Sequence, residues 1–270
     1  MRRVGALWED FISFDNLYRA WRRAFRSTKT PEAFAFTFTV EKELFFLQEE
    51  LGNYTYQPGT YRYFTIYEPK ERIISVAPFR DRVVHHALIQ ILESIFDRSF
   101  IYHSYATRKD KGSHTAIEQA QCYLRKNRWY LKMDIAKYNV YLDPLDHYIK
   151  DRLGIKAYLR YMDDFCLFSN DKRTLKNLVS IITTFLEDSL GLHLKDRATL
   201  INTALHGLPF LGVRIWPSLI RVGRQNLARS LGKAGKISHQ RYRSSMESIL
   251  AHIQHWNTHK LLVQQLLLRD

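Results

Sequence analysis

Hydrophobic residues recur at helical spacing near the start of the chain, and this pattern predicts helices between residues 9 and 53. The chain then changes to runs rich in Tyr, Ile and Thr around a Pro-Lys-Glu turn, which predicts two strands within residues 61–78. Helical spacing returns over residues 79–100 and 113–127, where Ser113 or Thr115 is the expected N-cap of the second helix. The first 127 residues therefore read as helices with one inserted hairpin.

The second half of the chain alternates strands and helices. The pattern predicts a strand at 128–135, a short helix at 143–154 that Gly154 ends, a strand–turn–strand unit at 156–170, a helix at 172–190, and a hairpin within 207–216. The part after residue 224 is basic, rich in His and mostly helical in its spacing. No repeat, low-complexity segment or linker interrupts the chain, so the expected fold class is α+β with sequential subdomains.

Composition points to a polyanionic partner. Lys and Arg number 41 against 27 acidic residues, which gives a formal net charge of +14. In a folded chain such an excess indicates nucleic acid, less often an anionic membrane, while a merely basic protein remains the alternative. Cys122 and Cys166 show neither a disulfide framework nor a metal-ligand spacing. No run approaches the length of a membrane span, so we expect a cytoplasmic protein with no membrane association.

Two acids stand side by side between the apolar strands of residues 156–170, at Asp163 and Asp164. A third, Asp134, ends the apolar strand "WYLKMDI" upstream. Clustered carboxylates repel one another unless a cation neutralises them, and hard oxygen ligands select Mg²⁺ or Mn²⁺. The pattern therefore favours a metal-dependent phosphoryl-transfer site over a solvated turn, although the four letters YMDD alone would favour the turn.

Several blocks in a fixed order resemble bacterial reverse transcriptases of the group II intron maturase and diversity-generating retroelement type. The palm is similar in "KMDIAKY" and "YMDD", the fingers in "YEPKERIISVAPFRDRVVHHAL" and "HSYATRKDKGSHTAIEQAQ", the primer grip in "GLPFLGVRIW", and the thumb in "AHIQHWNTH". The resemblance covers nearly the whole chain. It implies a right-hand polymerase with helical and β fingers in residues 1–127, a β-α-β-β-α-β palm with a primer-grip hairpin in 128–223, and a helical thumb in 224–270.

The resemblance also implies roles for particular residues. Asp134, Asp163 and Asp164 would be catalytic and would hold two Mg²⁺ ions (Mn²⁺ as the alternative), with the carbonyl of Ile135 as a further ligand. The other implied contacts are Lys70 and Arg72 with the nucleotide triphosphate, Arg80 and Arg82 with template phosphates, Tyr161 and Met162 beneath the primer end, and Gly207 and Gly212 in the primer-grip turn. A solvated turn is the alternative for Lys70 and Arg72, and pairing with Asp81 is the alternative for Arg80 and Arg82.

The chain departs from this family between its catalytic acids. The family places more chain there, including a Gly-rich block over the nucleotide, whereas here "DIAKY" runs directly into "NVYLDPLDH" with a seam at Tyr138 and Asn139. Asn139 stands where the family has an aromatic that excludes a ribose 2′-OH. The segment "LHLKDRATLI" lacks a clear counterpart of the proposed general-acid lysine, although Lys195 is near. Residues 139–154 are still long enough for a crossover between parallel strands.

The expected function is therefore RNA-directed DNA polymerisation, impaired by the shortened palm. The implied partners are an RNA template, an RNA or DNA primer, deoxynucleoside triphosphates and a small basic accessory protein. The alternative is a non-catalytic remnant that still binds RNA. A third reading is a gene product with an internal deletion and no function.

Overall fold

The computed structural model describes residues 5–67, 71–135, 140–195 and 199–223. The chain divides into two compact units, one ending at Ser99 and the other beginning at Phe100. The expected fingers extended to residue 127, but helix α6 (Ser113–Lys126) belongs to the second unit. The polymerase subdomain names stay predictions, and the expected thumb lies outside the described residues.

The first unit contains five helices and one hairpin among its described residues. They are α1 (Leu7–Ile12), α2 (Phe14–Ser27), α3 (Pro31–Phe38), α4 (Val40–Gly52), β1 (Arg62–Ile66), β2 (Arg72–Val76) and α5 (Phe79–Ser99). Ser13 caps α2 by accepting a hydrogen bond from the backbone of Asn16, and Pro31 opens α3 after the cap Thr30. Strands β1 and β2 pair antiparallel, as the sequence predicted.

The core of the first unit lies between α2 and α5. Leu17, Ala20 and Ala24 of α2 pack with Val83 and Ala87 of α5, and all five are fully buried. The small alanines on both helices let the two backbones approach closely. The same face of α2 that the apolar spacing predicted is therefore the buried one.

The second unit carries a four-stranded sheet in the order β4-β5-β3-β6. Its strands and their connecting helices are β3 (Trp129–Asp134), α7 (Asp143–His147), a π turn (Tyr148–Arg152), β4 (Tyr158–Tyr161), β5 (Asp164–Ser169), α8 (Lys172–Leu190) and β6 (Leu200–Thr203). All neighbouring strands pair antiparallel, so β3 and β4, on either side of β5, run parallel. The order β-α-β-β-α-β is the one expected from the sequence. The segment that contains α7 is long enough to connect the parallel strands β3 and β4.

Strand residues alternate between two apolar layers, because successive side chains point to opposite faces of a sheet. Tyr130 and Cys166 contribute to the layer that contains α6, whereas Leu131 and Phe165 contribute to the layer that contains α7 and α8. The sheet is thus covered on both faces. This explains why the central strands read as continuous apolar runs.

A second, three-stranded sheet follows, formed by β7 (Leu208–Phe210), β8 (Val213–Ile215) and β9 (Ile220–Val222). Leu211 and Gly212 connect β7 to β8, and both have positive φ, 48° and 83°. Two-residue hairpin turns of this hand match the twist of the strands they join. The hairpin was predicted, but β9 was not.

Two local predictions need correction. Helix α6 has Gly112 as its N-cap and no side-chain cap hydrogen bond, so neither Ser113 nor Thr115 caps it. The helix expected over residues 143–154 is regular only over α7 and continues as the π turn, although Gly154 does end it with a φ of 66°. None of the described helices is both long and apolar enough to cross a bilayer.

Candidate functional site

The three aspartates meet at one end of the sheet, on its two central strands. Asp134 is the last residue of β3 and pairs in register with Asp164, the first residue of β5. Asp163 lies in the turn before β5, and its carbonyl accepts a hydrogen bond from the Ile135 amide at 3.1 Å. Both β3 and β5 are interior strands of the sheet.

Lys195 is built into this cluster by its backbone as well as its side chain. Its amide donates to the carbonyl of Asp134 at 3.1 Å, beside an isolated bridge between Ile135 and Leu194. Its ammonium donates to Oδ1 of Asp134 and, at 2.9 Å, to Oδ2 of Asp163. Burial alone would lower the pKa of Lys195, but these two hydrogen bonds raise it above its usual value.

Asp164 is the most enclosed of the three acids. Its Oδ1 lies 3.0 Å from Nζ of Lys132, yet among the described residues no donor meets that oxygen with hydrogen-bond geometry. Burial raises the pKa of the Asp164 carboxyl, Asp134 and Asp163 raise it further, and the charge of Lys132 only partly opposes them. Lys132 is thus the charge partner of the enclosed Asp164.

The donor set has the chemistry of a magnesium site but does not fit one as it stands. Carboxylate oxygens are the ligands that Mg²⁺ prefers. Within the described ranges, however, no group of three or more His, Cys, Asp or Glu residues is arranged to hold a metal ion. Lys195 takes the place of a shared cation between Asp134 and Asp163, and Lys132 pairs with Asp164.

A buried ion pair beneath the turn holds the two-acid hairpin in place. Asp146 of α7 is fully buried, and Arg160 of β4 is 1% exposed. Arg160 donates to both carboxylate oxygens, from Nε at 2.8 and 3.0 Å and from Nη2 at 2.6 Å. Its Nη1 donates to the carbonyl of Met162 at 3.0 Å. Because Met162 has a φ of 55°, this bond fixes the strained residue directly before Asp163.

Sequence reasoning missed this pair, although a signal was present. Arg160 is a charge inside the apolar segment "YLRY", and a charge in such a place needs a partner. Tyr158 adds a hydrogen bond to Asp146 Oδ1 at 2.6 Å. Burial and this carboxylate raise the pKa of the Tyr158 hydroxyl well above its usual value.

A cavity of about 810 Å³ opens beside the acids, between the end of the central strands and the second sheet. Lys132 and Asp164 line one side, and the turn at Gly212 lies on another. Arg214 and Arg221, which pair across β8 and β9, also line it. The cavity therefore brings the predicted Gly212 next to Asp164, together with two arginines that the sequence did not single out.

The local structure explains why position 207 is a glycine. Its φ is 73°, and a Cβ at this position would lie 2.6 Å from Cε2 of Trp216. Its carbonyl accepts a hydrogen bond from Tyr130 of β3 at 3.0 Å, which ties the second sheet to the first. Burial raises the pKa of the Tyr130 hydroxyl to about 12, so this donor keeps its proton.

Tyr161 is half-buried at the end of β4, and Met162 is 39% exposed.

The residues expected to contact nucleotide and template lie in the first unit. Arg72 is exposed at the start of β2, whereas Lys70 lies outside the described residues. Arg80 pairs with Glu50 at 2.7 Å, and Asp81 instead accepts from Tyr56 and from the Gly59 amide. The structure does not show the alternative pairing of Arg80 or Arg82 with Asp81, since Arg82 donates to Ser27 Oγ at 3.3 Å. Their contact with template phosphates stays a prediction.

Similar proteins are associated with introns. The chain is 31% identical over 120 residues to a COX1/OXI3 intron 1 protein of Saccharomyces cerevisiae, covering 44% of this chain and 14% of that protein. It is 32% identical over 110 residues to the mitochondrial nuclear intron maturase 1 of Arabidopsis thaliana, covering 37% and 14%. It is 30% identical over 131 residues to protein YkfC of Escherichia coli, covering 45% and 32%. No family model matches the chain.

These similarities confirm the coarse part of the expected resemblance. The relatives include an intron maturase and a protein named for an intron, in agreement with the maturase side of the sequence interpretation. The named relatives give no support to a diversity-generating retroelement. The chain covers less than a third of the length of each of these relatives, at 14% to 32%. What the relatives do as whole proteins therefore enters only as a proposal.

Proposed function

We propose that this chain is a reverse-transcriptase-related protein that binds RNA, and that its palm performs RNA-templated nucleotidyl transfer only weakly. The observation that carries the proposal is the in-register pair of Asp134 and Asp164 on central strands of a β-α-β-β-α-β sheet, with Asp163 in the adjoining turn. Three carboxylates at one sheet end, beside an open cavity, provide a place where a nucleotide phosphate and a cation can meet.

The RNA-binding part rests on charge and on relatedness. A net charge of +14 favours association with a polyanion, because neutralised phosphates release their counterions. The relatives that are named for introns make intron-like RNA the first partner to test. In the second unit, Arg214, Arg221 and Lys132 give the cavity beside Asp164 a positive lining.

The weakness of the chemistry follows from how the acids are paired. Asp134 and Asp163 share the ammonium of Lys195, and Asp164 faces Lys132. Two Mg²⁺ ions, or Mn²⁺, are the cofactor that we propose for any transfer, with deoxynucleoside triphosphates as substrates, and these ions would have to displace Lys195. The missing Gly-rich block removes one wall of the nucleotide pocket, and a misplacement of about 1 Å can already cost on the order of a hundredfold in rate.

A second candidate is a purely RNA-binding protein with no transferase activity. The absence of a metal-ready group among the described residues, with both lysines already paired to the acids, favours this candidate. It differs from the first only in catalysis. Both candidates require RNA binding, so binding is the first measurement to make.

The test is a titration of the purified chain with fluorescent single-stranded RNA and with an RNA–DNA primer–template at several salt concentrations. We expect the logarithm of the affinity to fall linearly with the logarithm of the salt concentration, with a slope of about −0.7 per phosphate contact for a single strand. An affinity that stays flat between low and physiological salt would overturn the proposal.

A further inference from the structure

Four arginines form a stripe along α2 in the first unit. Arg19, Arg22, Arg23 and Arg26 recur at i, i+3, i+4 and i+7, so they share one face of the helix. All four are exposed. This face is distinct from the buried face of α2, which packs against α5.

The arginine stripe lines a groove of about 430 Å³, together with Asn16, Gln90 and Ile91. The floor of the groove is a closed set of hydrogen bonds between α2 and α5. The buried Asn16 amide donates to the carbonyls of Phe11 at 2.9 Å and Ala87 at 3.1 Å. Gln90 then donates to Asn16, to Oδ1 at 3.0 Å and to the carbonyl at 3.1 Å. The two helices are therefore held together beneath the arginines, and the groove has a fixed floor.

Few acids neutralise this groove. Arg19 pairs with Asp15, and Arg23 lies 3.6 Å from Glu93. In the described part of the chain, no carboxylate lies within ion-pair distance of Arg22 or Arg26. Arg82 of α5 adds a further cation, since it donates to Ser27 at the end of α2.

The neighbouring His86 responds to the same positive potential. Burial lowers the pKa of its imidazole, and the charges of Arg82 and Arg23 lower it further. Two effects thus disfavour a protonated His86 at neutral pH. One of these two arginines, Arg23, also lines the groove.

We propose that this groove, lined by Arg19, Arg22, Arg23 and Arg26, binds the phosphodiester backbone of RNA. The stripe extends about 10 Å along the helix, which is long enough to follow a short stretch of the backbone of one strand. Arginine suits this ligand because its planar guanidinium can donate two parallel hydrogen bonds to a phosphate. No base-reading geometry is involved, so binding here is independent of RNA sequence. The inference rests on the proposed RNA-binding function and assigns it a particular surface.

The experiment compares two charge-matched double variants of the full chain. Arg22→Gln/Arg26→Gln removes the two unpaired arginines of the groove, and Arg173→Gln/Lys176→Gln removes two exposed charges from α8 in the second unit. RNA affinity is measured across a salt series for both and for wild type, with thermal unfolding to show that each variant folds. We expect the groove variant to bind about tenfold or more weakly at low salt, with a salt slope reduced by about 1 to 2.

A conservative variant separates the effect of charge from the effect of the paired hydrogen bonds. Arg22→Lys/Arg26→Lys keeps both charges, so it should keep most of the salt slope while losing the paired hydrogen bonds. If the groove variant binds RNA as wild type does, or if the α8 variant loses as much affinity, the groove inference is overturned while the proposed function stands. If wild-type protein shows no salt-dependent RNA binding, the proposed function and the groove inference both fail.

Discussion

Asp134 and Asp164 face each other as a register pair where β3 ends and β5 begins, and Lys195 bridges Asp134 to the neighbouring Asp163. Like charges placed together repel one another unless a cation lies between them. Here the cation is an amino group of the chain itself. The three acids that we propose for phosphoryl transfer are therefore held in an arrangement that a metal ion would first have to open.

Replacing Lys195 should make the acids more available to a metal. We expect Lys195→Met to bind Mn²⁺ on the order of tenfold more tightly than wild type, because the ammonium no longer competes for Asp134 and Asp163. Mn²⁺ electron paramagnetic resonance or calorimetry measures this directly. The matched control is Lys176→Met, an exposed lysine of α8. Equal Mn²⁺ affinity in all three proteins would show that Lys195 does not compete with the metal ion for these acids.

Removing only one partner of the Arg160–Asp146 pair should strongly destabilise the second unit. Arg160→Met or Asp146→Leu alone leaves a buried charge without its partner, and each should lower the free energy of unfolding by about 3–5 kcal/mol. The double variant Asp146→Leu/Arg160→Met should recover part of that loss, since neither charge remains. Urea unfolding of the four proteins forms a double-mutant cycle. Strictly additive losses would mean that the two side chains do not depend on each other.

His103 gives the fold a pH dependence with a definite sign. Burial lowers the pKa of its imidazole to about 4, and the charges of Lys150 and Lys111 contribute. An unfolded His binds its proton with a pKa near 6.5, so the native state holds fewer protons between these values and stability falls as pH falls through that window.

The corresponding variant is His103→Gln, which keeps a polar group near Tyr105. Between about pH 7 and about pH 4.5, wild type should lose roughly 1–2 kcal/mol more of its free energy of unfolding than the variant does. Urea unfolding at the two pH values measures the difference. Parallel losses in the two proteins would mean that His103 titrates normally.

A side chain at Gly207 should be more destabilising than a side chain at Gly154, which has a similar positive φ. Gly207→Ala adds a Cβ that would lie 2.6 Å from Trp216, whereas Gly154→Ala, at a similar positive φ, meets nothing within 4 Å. We expect Gly154→Ala to cost about 1 kcal/mol from backbone strain, and Gly207→Ala to cost at least about 1 kcal/mol more. Thermal unfolding compares the two. An equal cost would mean that Trp216 moves aside freely.

Much of the fold could be predicted because periodicity in this chain is strong. The apolar spacing of α2, α5 and α8 and the apolar runs of β3 and β5 identified these elements before any coordinates. Strand β9 was missed because its three residues are too short to show alternation. The caps of α6 were misassigned because Gly112 and Ser113 both suit a helix start, and local sequence does not choose between them.

The candidate site was only partly predictable. The three aspartates could be recognised in the sequence as acids at strand ends, and the structure brings them together. The contacts of Lys195 and Lys132 with these acids could not be predicted, because a lysine that approaches an acid only in space leaves no periodic signal. Arg160 and Asp146 are 14 residues apart in sequence and meet only through the crossover from α7 to β4, which the pattern could predict as an element but not as a contact. The sequence did not single out the α2 arginines, because their groove forms only where α2 packs beside Gln90 and Ile91 of α5.

RNA binding and weak nucleotidyl transfer can be measured in one assay on the same substrate. A labelled DNA primer on an RNA template is mixed with wild-type protein or with Asp163→Asn/Asp164→Asn, and binding and extension are followed together with Mg²⁺, using deoxynucleotides and ribonucleotides in separate reactions. We expect salt-sensitive binding by both proteins, slow extension by wild type with poor discrimination against ribonucleotides, and no extension by the variant. Failure of wild type to bind the primer–template, or brisk synthesis selective for deoxynucleotides that the variant lacks, would contradict the account.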